Sequence, residues 1–305
     1  MGTMTEGTVS WRYTQHTPRN ARAMDAEVIG EAPRVLYVNK RLLVTFMCTP
    51  IQVHHLALGF LLSEGLIRDL DEVLMMRIYE DRHHCYWYLP AFGLDEVRRM
   101  PVDDVLVGTI DVRVKGPLPD LGPRILTSGC GGGITFDDLS HGYPPLNSSM
   151  QISVTQVLNL MRRLHESATL YRTCRGVHTS AISDGERLLA VAADVGRHNT
   201  LDKLRGECAL RGIPTKHRIL LSTGRISSEM LTKAVKMQIP IVISRTSPTS
   251  LSIQLARQWG ITLIGYVRHQ QFNVYTGEER IRSASSQMEH VAETLTPRPE
   301  PAVPG

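Results

Sequence analysis

The sequence predicts an α/β protein with two parts: a C-terminal layered α/β domain with a mixed, partly parallel sheet, and a smaller N-terminal α+β lobe. Three observations predict it. The apolar runs "HRILLST", "IPIVIS" and "ITLIGYV" alternate with stretches of helix length, which is the pattern of βαβ crossovers. Ahead of them, β-rich runs pair around turn residues beside one amphipathic helix. The chain's 305 residues, 42% apolar and 21% charged, suffice for a sizeable core and exclude collagenous and disordered classes.

In chain order, residues 1–30 read as a flexible polar arm. The N-terminal lobe, 31–114, opens with "RVLYV" and "RLLVTFM" around an Asn39-Lys40 turn, a hairpin signal. Thr49 and Pro50 supply an N-cap and a first-turn proline. Val53, Leu56, Ala57, Phe60 and Leu61 then fall on one helical face. "MMRIYED" and "HHCYWYLP" suggest a second hairpin, and "VLVGTIDVRVKG" a further strand. Residues 115–150 are turn and linker chemistry, a mobile Gly/Pro-rich loop that carries Cys130 within "SGCGGG".

The C-terminal domain, 151–284, begins with a capping box, Ser153 and Gln156, and a helical stripe through Val154, Val157, Leu158, Met161 and Leu164. "HTSAIS" and "ERLLAVAAD" form a hairpin around Asp184-Gly185. Helices follow through Leu201 and Leu204, from Ser227 or Ser228 to about Met237, and from Thr249 to about Trp259. Residues 285–305, rich in proline, read as a disordered tail.

Lys and Arg number 34 against 30 acidic residues, a net charge of +4 too mild to demand nucleic acid. The N-terminus lacks the apolar run of a signal peptide, and "HLALGFLL" is too short to span a bilayer, so a cytoplasmic protein without membrane contact is expected. Five cysteines, at 48, 85, 130, 174 and 208, lack paired spacing and form no disulfide framework.

In open α/β sheets, ligands bind beyond the carboxyl ends of the strands. Each such end here is basic: "DVGRHN" with Arg197 and His198, "STGRISS" with Arg225, "SRTSPTS" with Arg245, and "YVRHQQ" with Arg268 and His269. Guanidinium forks match phosphate oxygens, so a nucleotide or pyrophosphate-bearing ligand is the expected occupant. Asp202 and Lys203 read as structural.

No metal is expected. Gly133 stands where a Cys-x-x-Cys pair needs its second thiol, and in His54-His55 and His83-His84-Cys85 adjacent side chains point apart. Cys48, Cys85 and Cys208 read as buried packing residues. Cys130 suits two chemistries: nucleophilic attack on an acyl group with His198 or His178 as base, or carriage of a persulfide. A mobile loop favours delivery, because a hydrolase nucleophile is held rigidly.

"GFLLSEGLI", "RGVHTSAI", "DVGRHNTLDKLRG", "STGRISSEMLTKA", "SRTSPTSLSIQLA" and "GITLIGYVRHQQFNVYT", in this order, resemble the formate dehydrogenase accessory sulfurtransferase (FdhD/NarQ) family over roughly residues 34 to 282. The resemblance implies a cytidine-deaminase-like, zinc-free C-terminal fold. It implies a sulfur carrier that receives persulfide sulfur from a cysteine desulfurase and passes it to the molybdenum bis-guanine-dinucleotide cofactor of formate dehydrogenase apoenzyme. Cys130 matches the family's persulfide cysteine, and Tyr266, Val267, Arg268, His269, Gln270 and Gln271 match the segment implied to touch that cofactor. The cofactor would be held transiently, with none permanently bound, and a homodimer is compatible with the family. The alternative is a non-catalytic chaperone that binds the guanine nucleotide or molybdenum cofactor for the apoenzyme. Gly133 in place of a second loop cysteine, Ala193 before "DVGRHN" and Cys174-Arg175 before His178 depart from the family pattern.

Overall fold

The computed structural model describes residues 4–5, 7–80, 84–88, 97–99, 106–119, 125–126, 134–135 and 142–282. The expected tail at 285–305 and half of the expected loop at 115–150, Cys130 included, lie outside them.

The expected N-terminal arm is a β-ribbon. β1 (Met4–Thr5) pairs with β2 (Thr8–His16), which pairs along its whole length with β3 (Ala21–Ile29). Alternation places Trp11 opposite Ala26 and Tyr13 opposite Met24 on one face, a period-2 pattern hidden by the polar residues between them. Thr17 closes the turn, its Oγ1 accepting from the backbone N–H of Arg19 and Asn20.

The first six-stranded sheet comprises β4 (Ala32–Val38), β5 (Arg41–Cys48), β6 (Val73–Tyr79), β7 (His84–Tyr88), β8 (Val97–Arg99) and β9 (Thr109–Val114), ordered β5-β4-β9-β6-β7-β8. The Asn39-Lys40 turn has both φ angles positive, 50° and 69°, the backbone whose twist suits a two-residue hairpin. Helix α1 (Val53–Ser63) starts at Gln52 rather than at Thr49. Thr49 is fully buried and engaged elsewhere: its N–H donates to Asp194 Oδ2 at 3.2 Å and its carbonyl accepts from Lys203 Nζ at 3.0 Å. Nearly every side chain of α1 is buried, because both sides of the helix are covered.

The two-residue strands β10 (Ile125–Leu126) and β11 (Ile134–Thr135) pair antiparallel. Residues 142–150 lie against the C-terminal domain: Leu146 N–H donates to the Trp259 carbonyl at 2.8 Å, and Tyr143 packs edge-on against the Trp259 ring.

The second part contains β12 (Ile152–Ser153), α2 (Val154–Ser167), α3 (Thr169–Cys174), β13 (His178–Ser183), β14 (Leu188–Asp194), α4 (Arg197–Leu210), β15 (Ile219–Ser222), α5 (Ser228–Lys236), β16 (Ile241–Ser244), α6 (Ser250–Gln258), β17 (Thr262–Arg268), β18 (Gln271–Thr276) and β19 (Ile281–Arg282). Its six-stranded sheet runs β14-β13-β15-β16-β17-β18, and β15, β16 and β17 are mutually parallel. The capping box expected at Ser153 forms, and Ser227 and Thr249 cap α5 and α6 close to the helix starts the sequence indicates. Ile219, Leu221, Ile241 and Ile243 pack toward α2, whereas Leu220 and Val242 pack toward α4, α5 and α6. Helices therefore cover both faces, as a central parallel core requires.

The two parts are joined through α1 and α4, which cross at Gly59 and Gly206. A Cβ added at Gly59 would stand 1.8 Å from the Asp202 carbonyl oxygen, and one at Gly206 would stand 2.0 Å from that of His55. Behind this crossing lies a buried charge network. Lys203 Nζ lies 2.6 Å from Asp194, and Lys233 Nζ lies 2.6 Å from Asp202 and 3.9 Å from Glu64 at the end of α1. Asp202 and Lys203 are structural, as their sequence position suggests. No helix among the described residues is long and apolar enough to cross a membrane.

Candidate functional site

The same device turns the chain at three successive strand ends. At the end of β14, Asp194 Oδ1 accepts from Gly196 N–H at 2.8 Å. At the end of β15, Ser222 Oγ accepts from Gly224 N–H at 3.1 Å, and at the end of β16, Ser244 Oγ accepts from Thr246 N–H at 3.0 Å. A short acceptor side chain that captures the N–H two residues on bends the backbone out of the sheet and satisfies a donor the ladder no longer reaches. Asp194, Ser222 and Ser244 are all fully buried, so these turns are rigidly based. The fourth end differs. Tyr266 and His269 have φ of 54° and 52°, and β17 turns directly into β18 with Arg268 paired to Gln271. Tyr266–Gln271 is thus a bulged strand end and two-residue turn rather than an open loop. Gly265 allows the bulge: a Cβ there would meet the Thr246 carbonyl at 2.9 Å.

The basic residues at these ends divide into two groups. Arg245, Arg268 and His269 line a cavity of about 390 Å³, closed on its other side by Arg162 and His165 from α2. Thr223 completes the polar lining, and Leu158, Met161 and Val267 supply an apolar part. Three guanidiniums and two imidazoles share this space, and no carboxylate lines it among the described residues. Arg245 Nη1 approaches His165 Nδ1 at 3.4 Å, and the Arg268 guanidinium lies over the Tyr266 ring, 5.7 Å from its centre. The size falls within the range of small-ligand pockets, and the chemistry is that of an anion site. Gln270 and Gln271 are exposed beside it.

Arg197, His198 and Arg225 do not line the cavity. Arg197 and His198 are buried at the start of α4, and Gly224 packs against Arg197 and His178. Burial, reinforced by the charges of Arg197 and Arg225, holds His178 below the usual imidazole range. His198 Nε2 lies 3.2 Å from Ser227 Oγ and 3.3 Å from Glu229 Oε2. Burial first, then the charges of Arg197 and Lys233, push its pKa down to about 3. Asn199 is structural, its Nδ2 donating to the Met47 carbonyl and to Asp194 Oδ1.

A histidine depressed in this way has a sign-defined effect. Unfolded, His198 takes up a proton near its ordinary 6.5, whereas folded it stays neutral until about 3. Its contribution to stability is present above pH 6.5 and is lost as pH falls from there toward 3. The melting temperature should fall steadily across that window, and His198→Gln should flatten the slope relative to wild type.

Sequence reasoning did not single out Arg162 and His165. They sit in a helix read as a core stripe, yet Leu158, Arg162 and His165, spaced i, i+4 and i+7, share one face of it. That spacing was the available signal. Cys130 lies outside the described residues, in the sequence between β10 and β11. Among the described residues no group of three or more His, Cys, Asp and Glu side chains is placed to hold a metal ion.

The sulfur carrier protein FdhD of Bacillus subtilis (strain 168) is 36% identical over 275 residues, 89% of this chain and 95% of that protein. The protein of the same name from Geobacillus kaustophilus is 32% identical over 268 residues, 86% of this chain and 94% of its relative. The crystal structure of a protein from Desulfotalea psychrophila, assigned as a formate dehydrogenase accessory protein, aligns with a TM-score of 0.68 at 25% identity, covering 90% of this chain and all of that one. With residues 29–282 matching its pattern, the chain belongs to the FdhD/NarQ family.

Proposed function

We propose that this protein is a sulfur carrier in the maturation of formate dehydrogenase, a sulfurtransferase that works in the cytoplasm through Cys130. The observation that carries the reading is the division among the cysteines. Burial pushes the thiols of Cys48 and Cys208 up to about 12, and those of Cys85 and Cys174 are also raised, so four of the five are poor nucleophiles at neutral pH. Cys130, within "SGCGGG", is the remaining candidate.

In this reading, the Cys130 thiolate attacks the outer sulfur of a persulfide on a cysteine desulfurase. The desulfurase cysteine leaves as thiolate, and Cys130 gains a persulfide without net oxidation. In delivery, an electron pair of the reduced acceptor bonds to the outer sulfur, the S–S bond breaks, Cys130 leaves as thiolate, and the acceptor is oxidised by two electrons. The acceptor is the molybdenum bis-guanine-dinucleotide cofactor destined for the formate dehydrogenase apoenzyme. Its phosphates suit the cavity of Arg245, Arg268 and His269, and its guanine suits the neighbouring apolar side chains.

Incubation with a cysteine desulfurase and free cysteine should add one sulfur mass to the peptide containing Cys130, removed by reductant. Cys130→Ala should accept none and should fail to restore formate dehydrogenase activity. Full restoration by Cys130→Ala would reject the carrier and favour a cofactor-binding chaperone.

A further inference from the structure

We propose that the ribbon of β2 and β3 is a docking arm for the client apoenzyme, on which it recognises an apolar recess rimmed by carboxylates. This goes beyond the proposed function and rests on it only for the identity of the client.

Every residue from 10 to 23 is exposed, so the ribbon projects from the body of the protein. Nine residues per strand carry it about 30 Å, and a two-stranded hairpin standing free in water is marginal in stability. Its two faces differ. The register puts Val9, Trp11 and Tyr13 on one face with Val28, Ala26 and Met24 opposite them, whereas the other face carries Ser10 against Glu27 and Arg12 against Asp25. Trp11 is 60% exposed, Val28 45% and Tyr13 42%. Single exposed apolar residues are ordinary, but a contiguous patch holding tryptophan and tyrosine has the composition of the centre of a protein interface.

Position and charge select the partner. A Cβ at Gly176 would stand 3.5 Å from Ile29 Cγ2 at the base of the ribbon, and Gly176 lies just ahead of β13. That strand runs antiparallel to β15, with Ser180 opposite Ser222, and so begins at the edge where β15 ends. The ribbon is therefore rooted beside the edge that carries the candidate site, and a protein held along it is held next to that edge. His16, Arg19 and Arg22 surround the ribbon's turn, and no acidic residue stands between Glu6 and Asp25, which is itself opposite Arg12. A basic tip continuing an apolar face calls for carboxylates on the partner. Covering Trp11, Tyr13 and Val28 removes on the order of 300 Å², well below the ~800 Å² per partner of a stable complex. Ribbons alone would not hold a second copy of the chain, whereas a client that is released after maturation needs a contact of this size.

The experiment measures the affinity of the full-length protein for purified formate dehydrogenase apoenzyme by interferometry, at low and at high salt. Trp11→Ser/Tyr13→Ser should weaken binding at least about tenfold, as loss of aromatic anchors does. Arg19→Glu/Arg22→Glu should weaken it about tenfold at low salt and less at high salt. Thr14→Ala, on the polar face, should bind as wild type does, and all three variants should melt like wild type because the changed residues are exposed. No binding by wild type, wild-type affinity in either double variant, or an equal loss in Thr14→Ala would overturn the proposal. Sedimentation of the same preparations tests the other occupant: a wild-type oligomer that Trp11→Ser/Tyr13→Ser dissociates gives the face to a second copy and overturns it as well. Persulfide loading of Cys130 by the desulfurase, read by mass, should be equal in wild type and both double variants. Loading lost only in the double variants would assign the ribbon to the desulfurase instead of the client. Loading absent from wild type, with the ribbon-dependent affinity intact, rejects the carrier and leaves the docking arm standing.

Discussion

Gly59→Ala and Gly206→Ala should each destabilise the protein by about 3 kcal/mol or more, the upper range for overpacking a closed interior. Helix propensity alone argues the other way, because alanine in mid-helix is favoured over glycine by about 1 kcal/mol. Geometry decides the sign. The added methyl groups would stand 1.8 Å and 2.0 Å from carbonyl oxygens of the facing helix, and backbone cannot swing aside as a side chain can. Relief requires α1 and α4 to separate along their crossing, and both helices are buried over most of their length. Equilibrium denaturation in urea measures the loss. Gly65 and Gly212, which have open space at the Cβ position, provide the comparison: alanine there meets only the strain of positive φ. Wild-type stability in Gly59→Ala would show that the helices do not cross as closely as described.

Lys203→Met should cost about 3 to 5 kcal/mol, the usual penalty for removing one partner of a buried ion pair. Both side chains are fully buried, and the ammonium also donates to the carbonyls of Thr49 and Ala193. Its removal leaves the Asp194 carboxylate without its buried partner and takes a donor from the carbonyls of Thr49 and Ala193. Asp194 additionally accepts from Gly196, Asn199 and Thr49, so Asp194→Ala should be at least as severe. The double variant Asp194→Ala/Lys203→Met should lose less than the two single changes combined, since it removes both members of the buried pair. Additive losses in the same denaturation assay would mean that the pair does not act as a unit.

These two sets of residues show what local sequence could convey. The parallel strands were legible as short apolar runs between helical stripes, and the capping box at Ser153 was legible because it is a local contact, three residues to its partner. The Asn39-Lys40 and Asp184-Gly185 turns were legible for the same reason. The β-ribbon was not, since its alternation runs through charged residues and nothing in the local pattern separates it from an arm. Thr49 looks like a helix cap in sequence, but its partners lie about 145 residues away, at Asp194 and Lys203.

The candidate site divides in the same manner. Basic residues at the strand ends, and the family motifs that contain them, were visible directly, because βαβ topology brings successive strand ends to one edge. Their separation was not. Whether Arg245 and Arg268 share a cavity while Arg197 and His198 are buried at the start of α4 depends on which face of the sheet each loop falls toward, and helix packing sets that. The cavity's opposite wall, Arg162 and His165, depends on where α2 lies across the sheet. Sequence by itself determined the elements, their order and the chemistry available at their ends. Only the tertiary structure decided which charges meet, because side chains far apart in the chain are brought together by close packing of helix on helix and helix on sheet, and no local pattern records that.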